Sequence, residues 1–246
     1  MNENFKITVE YDGTSYHGWQ RQKNERTVQE EIEKALFTMT GKKTALIASG
    51  RTDAGVHALG QVANFTCDTG LSPQAFQSGL NSLTKDDIVI ISCDIVGENF
   101  HSRFNAKSKT YNYRILNRNL PAAINRQYAW FIRKTLDLVS MRRAAGHIIG
   151  SHDFKAFEGT GSPRSHTTRC IIKADIIEQE NGIIVFEIEA DGFLRFMVRN
   201  IVGTLVDVGL GKISSDDFKK ILISKDRSMA GATAPPNGLF LMQVKY

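Results

Sequence analysis

Residues 44–66, TALIASGRTDAGVHALGQVANFT, set two β-forming stretches, 44–49 and 61–66, on either side of a loop carrying Gly50, Gly55 and Gly60. Two adjacent strands need flanking elements to cover their apolar face. On the N-terminal side, Phe5, Ile7, Val9 and Tyr11 alternate with Lys6, Thr8 and Glu10, the period of a half-buried strand, ending at the turn pair Asp12-Gly13. Thr27 with Glu30 reads as a capping box for a helix through Val28, Ile32, Ala35, Leu36 and Met39, stopped by Gly41. On the C-terminal side, Ser72-Pro73 starts a second helix through Phe76 and Leu80, and a strand at 88–93 follows. The order is β-α-β-β-α-β.

The same order recurs further along. Tyr111, Tyr113 and Ile115 alternate in a strand, and Thr135 caps a helix through Leu138, Met141, Ala145 and Ile148. Strands at 170–178 and 183–190 meet at the hairpin pair Asn181-Gly182. Leu194, Met197, Val198, Ile201, Val202 and Leu205 form a helical stripe, with Arg195 and Arg199 on the other face. A short helix after Ser214-Ser215 and a strand at 239–244 complete the half. The expected fold is α+β: two ferredoxin-like halves with antiparallel sheets, residues 1–104 and 105–246, and an active-site cleft between them.

The 246 residues carry 31 Lys+Arg against 26 Asp+Glu, a net charge of +5 that permits a polyanionic partner without requiring one. The longest unbroken apolar run, 128–132, is far below the ~20 residues of a membrane span. The first residues lack the apolar core of a secretory signal, so a cytoplasmic protein is expected. Three separated cysteines fit reduced thiols, and six scattered histidines offer no paired metal-ligand spacing. The glycine loop matches neither the P-loop nor the dinucleotide pattern, so no NTP or nicotinamide site is expected.

Within the loop, Asp53 stands beside Arg51 on a backbone made flexible by glycine. It reads either as a catalytic carboxylate or as an Asx turn capping its own loop. His57 reads as a packing or hydrogen-bonding side chain rather than a base. Between His101 and Arg118 the chain has Arg103, Lys107, Lys109 and Arg114 with no acidic residue, interleaved with Phe104, Tyr111 and Tyr113. Cations beside rings suit RNA, whose phosphates and unpaired bases they bind. The plainer alternatives are a solvated basic face and core tyrosines.

Four segments, YDGTSYHGWQRQ, GRTDAGVHALGQV, KTYNYRI and FMVRNIVGTL, occur in an order that resembles the TruA-type tRNA pseudouridine synthases over essentially the whole chain. Arg195 and residues 158–166 depart from that pattern. The resemblance implies isomerisation of uridine to pseudouridine at positions 38, 39 and 40 of the tRNA anticodon stem-loop, by a homodimer with no cofactor and no metal. It implies Asp53 as the catalytic nucleophile, Arg199 as its pairing arginine, Arg51 in base flipping and Tyr111 against the uracil. Arg103, Lys107, Lys109 and Arg114 are then expected on the RNA backbone. The competing expectation is a non-catalytic RNA-binding module presenting aromatic residues from two RRM-like sheets. A carboxylate-dependent nucleosidase is the third.

Overall fold

In the computed structural model, which describes residues 2–159, 161 and 166–246, the chain divides into two compact units. The first comprises residues 1–107 together with Phe240–Tyr246, and the second Ser108–Leu239.

The first unit runs β1 (Asn2–Tyr11), α1 (Val28–Thr40), β2 (Ile47–Ala48), β3 (His57–Asp68), α2 (Pro73–Leu83) and β4 (Ile88–Val96). Its strands pair in the order β4-β1-β3-β2, all antiparallel, the ferredoxin-like arrangement expected from the element order. The alternation in β1 buries Phe5, Ile7, Val9 and Tyr11. Phe5 lies opposite Phe65 in register, and both rings meet Phe76 of α2 at centroid distances of 4.7 and 5.2 Å. Helix α2 begins as its sequence dictates, with the Ser72 hydroxyl accepting from the Ala75 N–H and Pro73 in the first turn.

The capping box expected at Thr27 is absent. The Thr27 hydroxyl is buried and makes no cap bond. The preceding loop replaces it: the carbonyls of Gly18 and Trp19 accept from Val28 N and Gln29 N at 3.3 and 3.0 Å. A helix start whose donors are met by distant backbone has no need of a side-chain cap.

The second unit contains β5 (Ser108–Asn117), β6 (Trp130–Ile132), α3 (Leu138–Gly146), β7 (Gly150–Asp153), β8 (Thr168–Glu178), β9 (Ile183–Ala190), α4 (Met197–Gly209) and α5 (Ser215–Ser224). Strand β5 pairs antiparallel with β9, β9 with β8 and β8 with β7, while β6 lies parallel to β5. Asn181 and Gly182 turn the β8–β9 hairpin with φ of 60° and 76°, the geometry for which Asn-Gly is favoured. Of the divergent stretch 158–166, residues 160 and 162–165 lie outside the described residues.

Three expectations for this half are corrected. Helix α3 is capped by Asp137, whose carboxylate accepts from Val139 N and Ser140 N, because Thr135 lies too far ahead of the first turn. Arg195 is not on the helix with Arg199: Phe196 takes the left-handed conformation, φ 60°, and α4 starts only after it. The last strand, β10 (Leu239–Lys245), pairs parallel with β3 through Phe240↔His57 and Leu241↔Ala58, so Phe240–Tyr246 group with the first unit and not with 105–246.

The cap bonds hold the Asp137 carboxyl below the usual carboxylate range, the hydroxyl and N–H of Ser140 contributing most. A depressed carboxylate stabilises the fold above its unfolded pKa and loses that effect as pH falls through the folded one. Asp137→Ala is therefore expected to lower the melting temperature at neutral pH, with the difference from wild type shrinking as the pH falls toward the depressed folded pKa. Thr135→Ala should leave the melt unchanged across that range. Thermal scans at pH 7 and pH 3 check this.

Candidate active site

The loop before β3 is built by close approach of two sequence segments. The residues between β1 and α1 lie directly against residues 52–57 (all in the first unit). The Trp19 N–H donates to the Thr52 carbonyl at 3.2 Å, and the Gly55 N–H donates to the Tyr16 carbonyl at 3.2 Å. Gly18 has φ +88°, and an ideal β-carbon on it would stand 2.5 Å from the Thr52 carbonyl oxygen. A β-carbon on Gly13 would overlap the Val56 carbonyl. Only glycine permits these contacts. Within the loop, the Val56 N–H closes a turn on the Asp53 carbonyl at 3.2 Å.

The braced loop leaves Thr52 buried, Asp53 half-buried and Arg51 exposed. His57 is buried, its ring stacked on Phe240 at 4.7 Å, and its Nδ1 lies 3.0 Å from Gly13 N and 3.1 Å from an Asp12 carboxylate oxygen. It packs and holds the neighbouring loop, as its sequence position suggested. Behind Tyr16, the Arg26 guanidinium lies 4.2 Å over the tyrosine ring and pairs with Asp87 at 3.2 Å, and the Tyr16 hydroxyl donates to the same carboxylate.

In the second unit Arg199 sits on the first turn of α4, half-buried. Its Nε donates to the Ala234 carbonyl at 2.8 Å and its own carbonyl accepts from Ala234 N at 3.1 Å. The Phe196 ring faces both Arg195 and Arg199, at 4.6 and 5.1 Å. Asn200, fully buried, donates to the Phe157 carbonyl and accepts from Arg227 and Thr233. The start of α4 is thus tied to residues 227–235.

Tyr111 and Tyr113 share the inner face of β5. Tyr111 is 8% exposed and meets Phe193 edge-to-face at 5.1 Å. Tyr113 is fully buried and its hydroxyl donates to the Pro235 carbonyl at 2.7 Å. Neither ring is offered from an open sheet, as a non-catalytic RRM-like module would require. The basic stretch does not form one face: Lys109 and Arg114 differ by an odd number of strand positions and point to opposite sides of β5, while Arg103 and Lys107 are exposed ahead of it.

The side chains that hold the Asp53 loop, Tyr11, Thr52 and Gln61, were not singled out from sequence. Tyr11 shows only inward alternation in a strand, which does not distinguish a packing ring from a hydrogen-bonding hydroxyl, while Thr52 lies in the glycine loop and Gln61 in a continuously buried stretch of β3, neither with a periodic signal. Among the described residues, no cluster of His, Cys, Asp and Glu suits a metal ion, and no helix is long and apolar enough to cross a membrane.

Two compact units of mixed strand and helix, the first carrying a carboxylate on a braced strand-to-strand loop, place the chain in the class of the pseudouridine synthase fold. The model of the tRNA pseudouridine synthase family matches residues 7–105 and 144–246. The tRNA pseudouridine synthase A of Acetivibrio thermocellus is 48% identical over 99% of both chains, and that of Thermoanaerobacter sp. strain X514 is 49% identical over 99% of both. The Clostridium acetobutylicum protein of the same name is 48% identical over 99% of this chain and 100% of its own. An archaeal box H/ACA Nop10–Cbf5 complex structure is similar over 82% of this chain and 44% of that one, at 11% identity and a TM-score of 0.36. The chain belongs to the tRNA pseudouridine synthase family, isomerases that convert uridine to pseudouridine.

Proposed function

We propose that this enzyme isomerises uridine at positions 38, 39 and 40 of the tRNA anticodon stem-loop, as a cytoplasmic homodimer, with Asp53 as nucleophile. The supporting observation is the rigid seat of Asp53, whose preceding residue is held through its side chain and its carbonyl and whose own carbonyl closes a turn. A carboxylate fixed in this way does not have to be ordered at the moment of reaction.

The reaction breaks the N1–C1′ bond and joins C5 to C1′. The C5 hydrogen leaves as a proton and N1 takes one up, so nothing is oxidised or hydrolysed and no cofactor or metal is called for. Asp53 acts ionised, as nucleophile or as stabiliser of a sugar cation. Desolvation on substrate closure raises a carboxyl pKa, and a neighbouring arginine lowers it by ~1–3 units. Arg199 is assigned that pairing role. The target base is stacked in the arm and must be flipped out at a cost of a few kcal/mol. The exposed Arg51 next to Asp53 suits the vacated space, and Tyr111 suits a stacking platform for the uracil. Arg103 and Lys107, exposed ahead of β5, supply charge for the phosphates, while Lys109 and Arg114, on opposite sides of the strand, do not both face one RNA surface.

The test is incubation with tRNA tritiated at uridine C5. Tritium release with pseudouridine mapped to positions 38–40 is expected; free uracil would mark a nucleosidase, and intact uridine an RNA-binding module. For Arg199→Ala, a single-turnover rate reduced at least ~10-fold is expected, about what misorientation of a reacting group costs, with the tRNA Kd unchanged. A loss confined to affinity would contradict the pairing role.

A further inference from the structure

Beneath Arg51, Thr52 and Asp53 lies a buried set of polar side chains that sheet packing alone does not require. The Tyr11 hydroxyl, at the end of β1, is 2.7 Å from the Thr52 hydroxyl, and both residues are buried. Gln61 of β3, fully buried and against the same phenol, accepts from the Ser49 hydroxyl at 2.7 Å and donates to the Gly50 carbonyl at 3.0 Å. Burial pushes the Tyr11 phenol well above its usual range, so it stays protonated wherever the enzyme works.

These bonds act on particular backbone groups. Gln61 holds the carbonyl just before Arg51, and Tyr11 holds the side chain of the residue between Arg51 and Asp53. The Trp19 N–H holds the carbonyl of the Thr52–Asp53 peptide. With that peptide anchored from the side-chain end and the carbonyl end, the direction in which the Asp53 Cβ leaves the backbone is set. A lone buried hydroxyl is costly, so evolution toward packing alone would place Phe and Val here.

We infer that the Tyr11–Thr52 hydroxyl pair is a positioning device for the Asp53 carboxylate, with Gln61 fixing the same loop one residue earlier. This rests on the reading of Asp53 as the nucleophile. The two hydroxyls never touch the substrate; they act through the Thr52–Asp53 peptide.

The test compares Tyr11→Phe, Thr52→Val and Thr52→Ser in the full-length protein, by single-turnover tritium release from C5-labelled tRNA, tRNA Kd and thermal melting. Tyr11→Phe and Thr52→Val are each expected to slow the single-turnover step roughly 10- to 100-fold, the scale of a small misplacement of a reacting group. The tRNA Kd should not change. Thr52→Ser, which keeps the hydroxyl, should recover most of the rate, and the Tyr11→Phe/Thr52→Val double variant should be no slower than the slower single one. Should Thr52→Val fail to fold, Tyr11→Phe decides alone, since its ring still fills the site. A lowered melting temperature at wild-type rate, or a rate loss mirrored in Kd, overturns the inference. Asp53→Asn run alongside separates the two levels. If it keeps the wild-type rate, the nucleophile reading fails; if it is inactive while the hydroxyl variants keep the wild-type rate, only the positioning role fails.

Discussion

Asp53→Asn is expected to release no tritium above background from C5-labelled tRNA. The loss should be at least ~10⁴-fold, the scale on which removal of a single essential group is felt in other enzymes. The substitution is nearly isosteric, and the loop backbone is held through Thr52, Gly55 and Val56, whose bonds the change leaves in place. The melting temperature should therefore stay close to wild type, which separates chemistry from folding. Binding of tRNA should be equal or slightly tighter, because one negative charge near the phosphates is removed. Asn keeps a hydrogen-bond acceptor but supplies neither a nucleophilic carboxylate nor a formal charge for a sugar cation. A variant with wild-type release would shift the chemistry away from residues 50–55 altogether.

How far the sequence discloses this site depends on the distance over which each feature is determined. Ser72-Pro73 and Asn181-Gly182 were legible because their conformations are set by their own side chains within one turn. The α1 and α3 starts were misread for opposite reasons. Thr27 has the right chemistry, but the Gly18 and Trp19 carbonyls had taken its role, while Asp137 was the nearer cap that Thr135 obscured. Arg195 and Arg199 have helical spacing, yet a single left-handed residue between them starts the helix late. Asp53 itself was visible as an acid among glycines. What braces it was not, because Tyr11, Gly18 and Trp19 lie more than thirty positions away and the contacts are made by hydroxyl, carbonyl and bare α-carbon, none of which leaves a periodic trace.

Gly18→Ala is expected to have a large structural effect in the same region. At φ +88° an L-residue costs about 1–2 kcal/mol. The new β-carbon would also stand 2.5 Å from the Thr52 oxygen, 3.1 Å from the Asp53 carbonyl carbon and 3.2 Å from Ala54 N, all backbone, so no side chain can swing away to relieve it. Overpacking of that kind adds roughly 1–3 kcal/mol. The sum, about 2–5 kcal/mol, is a large part of the ~5–15 kcal/mol that holds a typical protein folded. At ~2–4 °C per kcal/mol for a chain of this size, the melting temperature should fall by roughly 4–20 °C. Gly70 is the control, since it has no atom within 4 Å of an added β-carbon and no positive φ, so alanine there should be neutral or slightly stabilising. Because the displaced atoms belong to Thr52, Asp53 and Ala54, the surviving folded Gly18→Ala enzyme should also turn over more slowly at saturating tRNA, below its own melting temperature. Unchanged melting and unchanged turnover together would mean that residues 50–55 move freely relative to residues 12–19, and that the brace around Asp53 contributes nothing to its position.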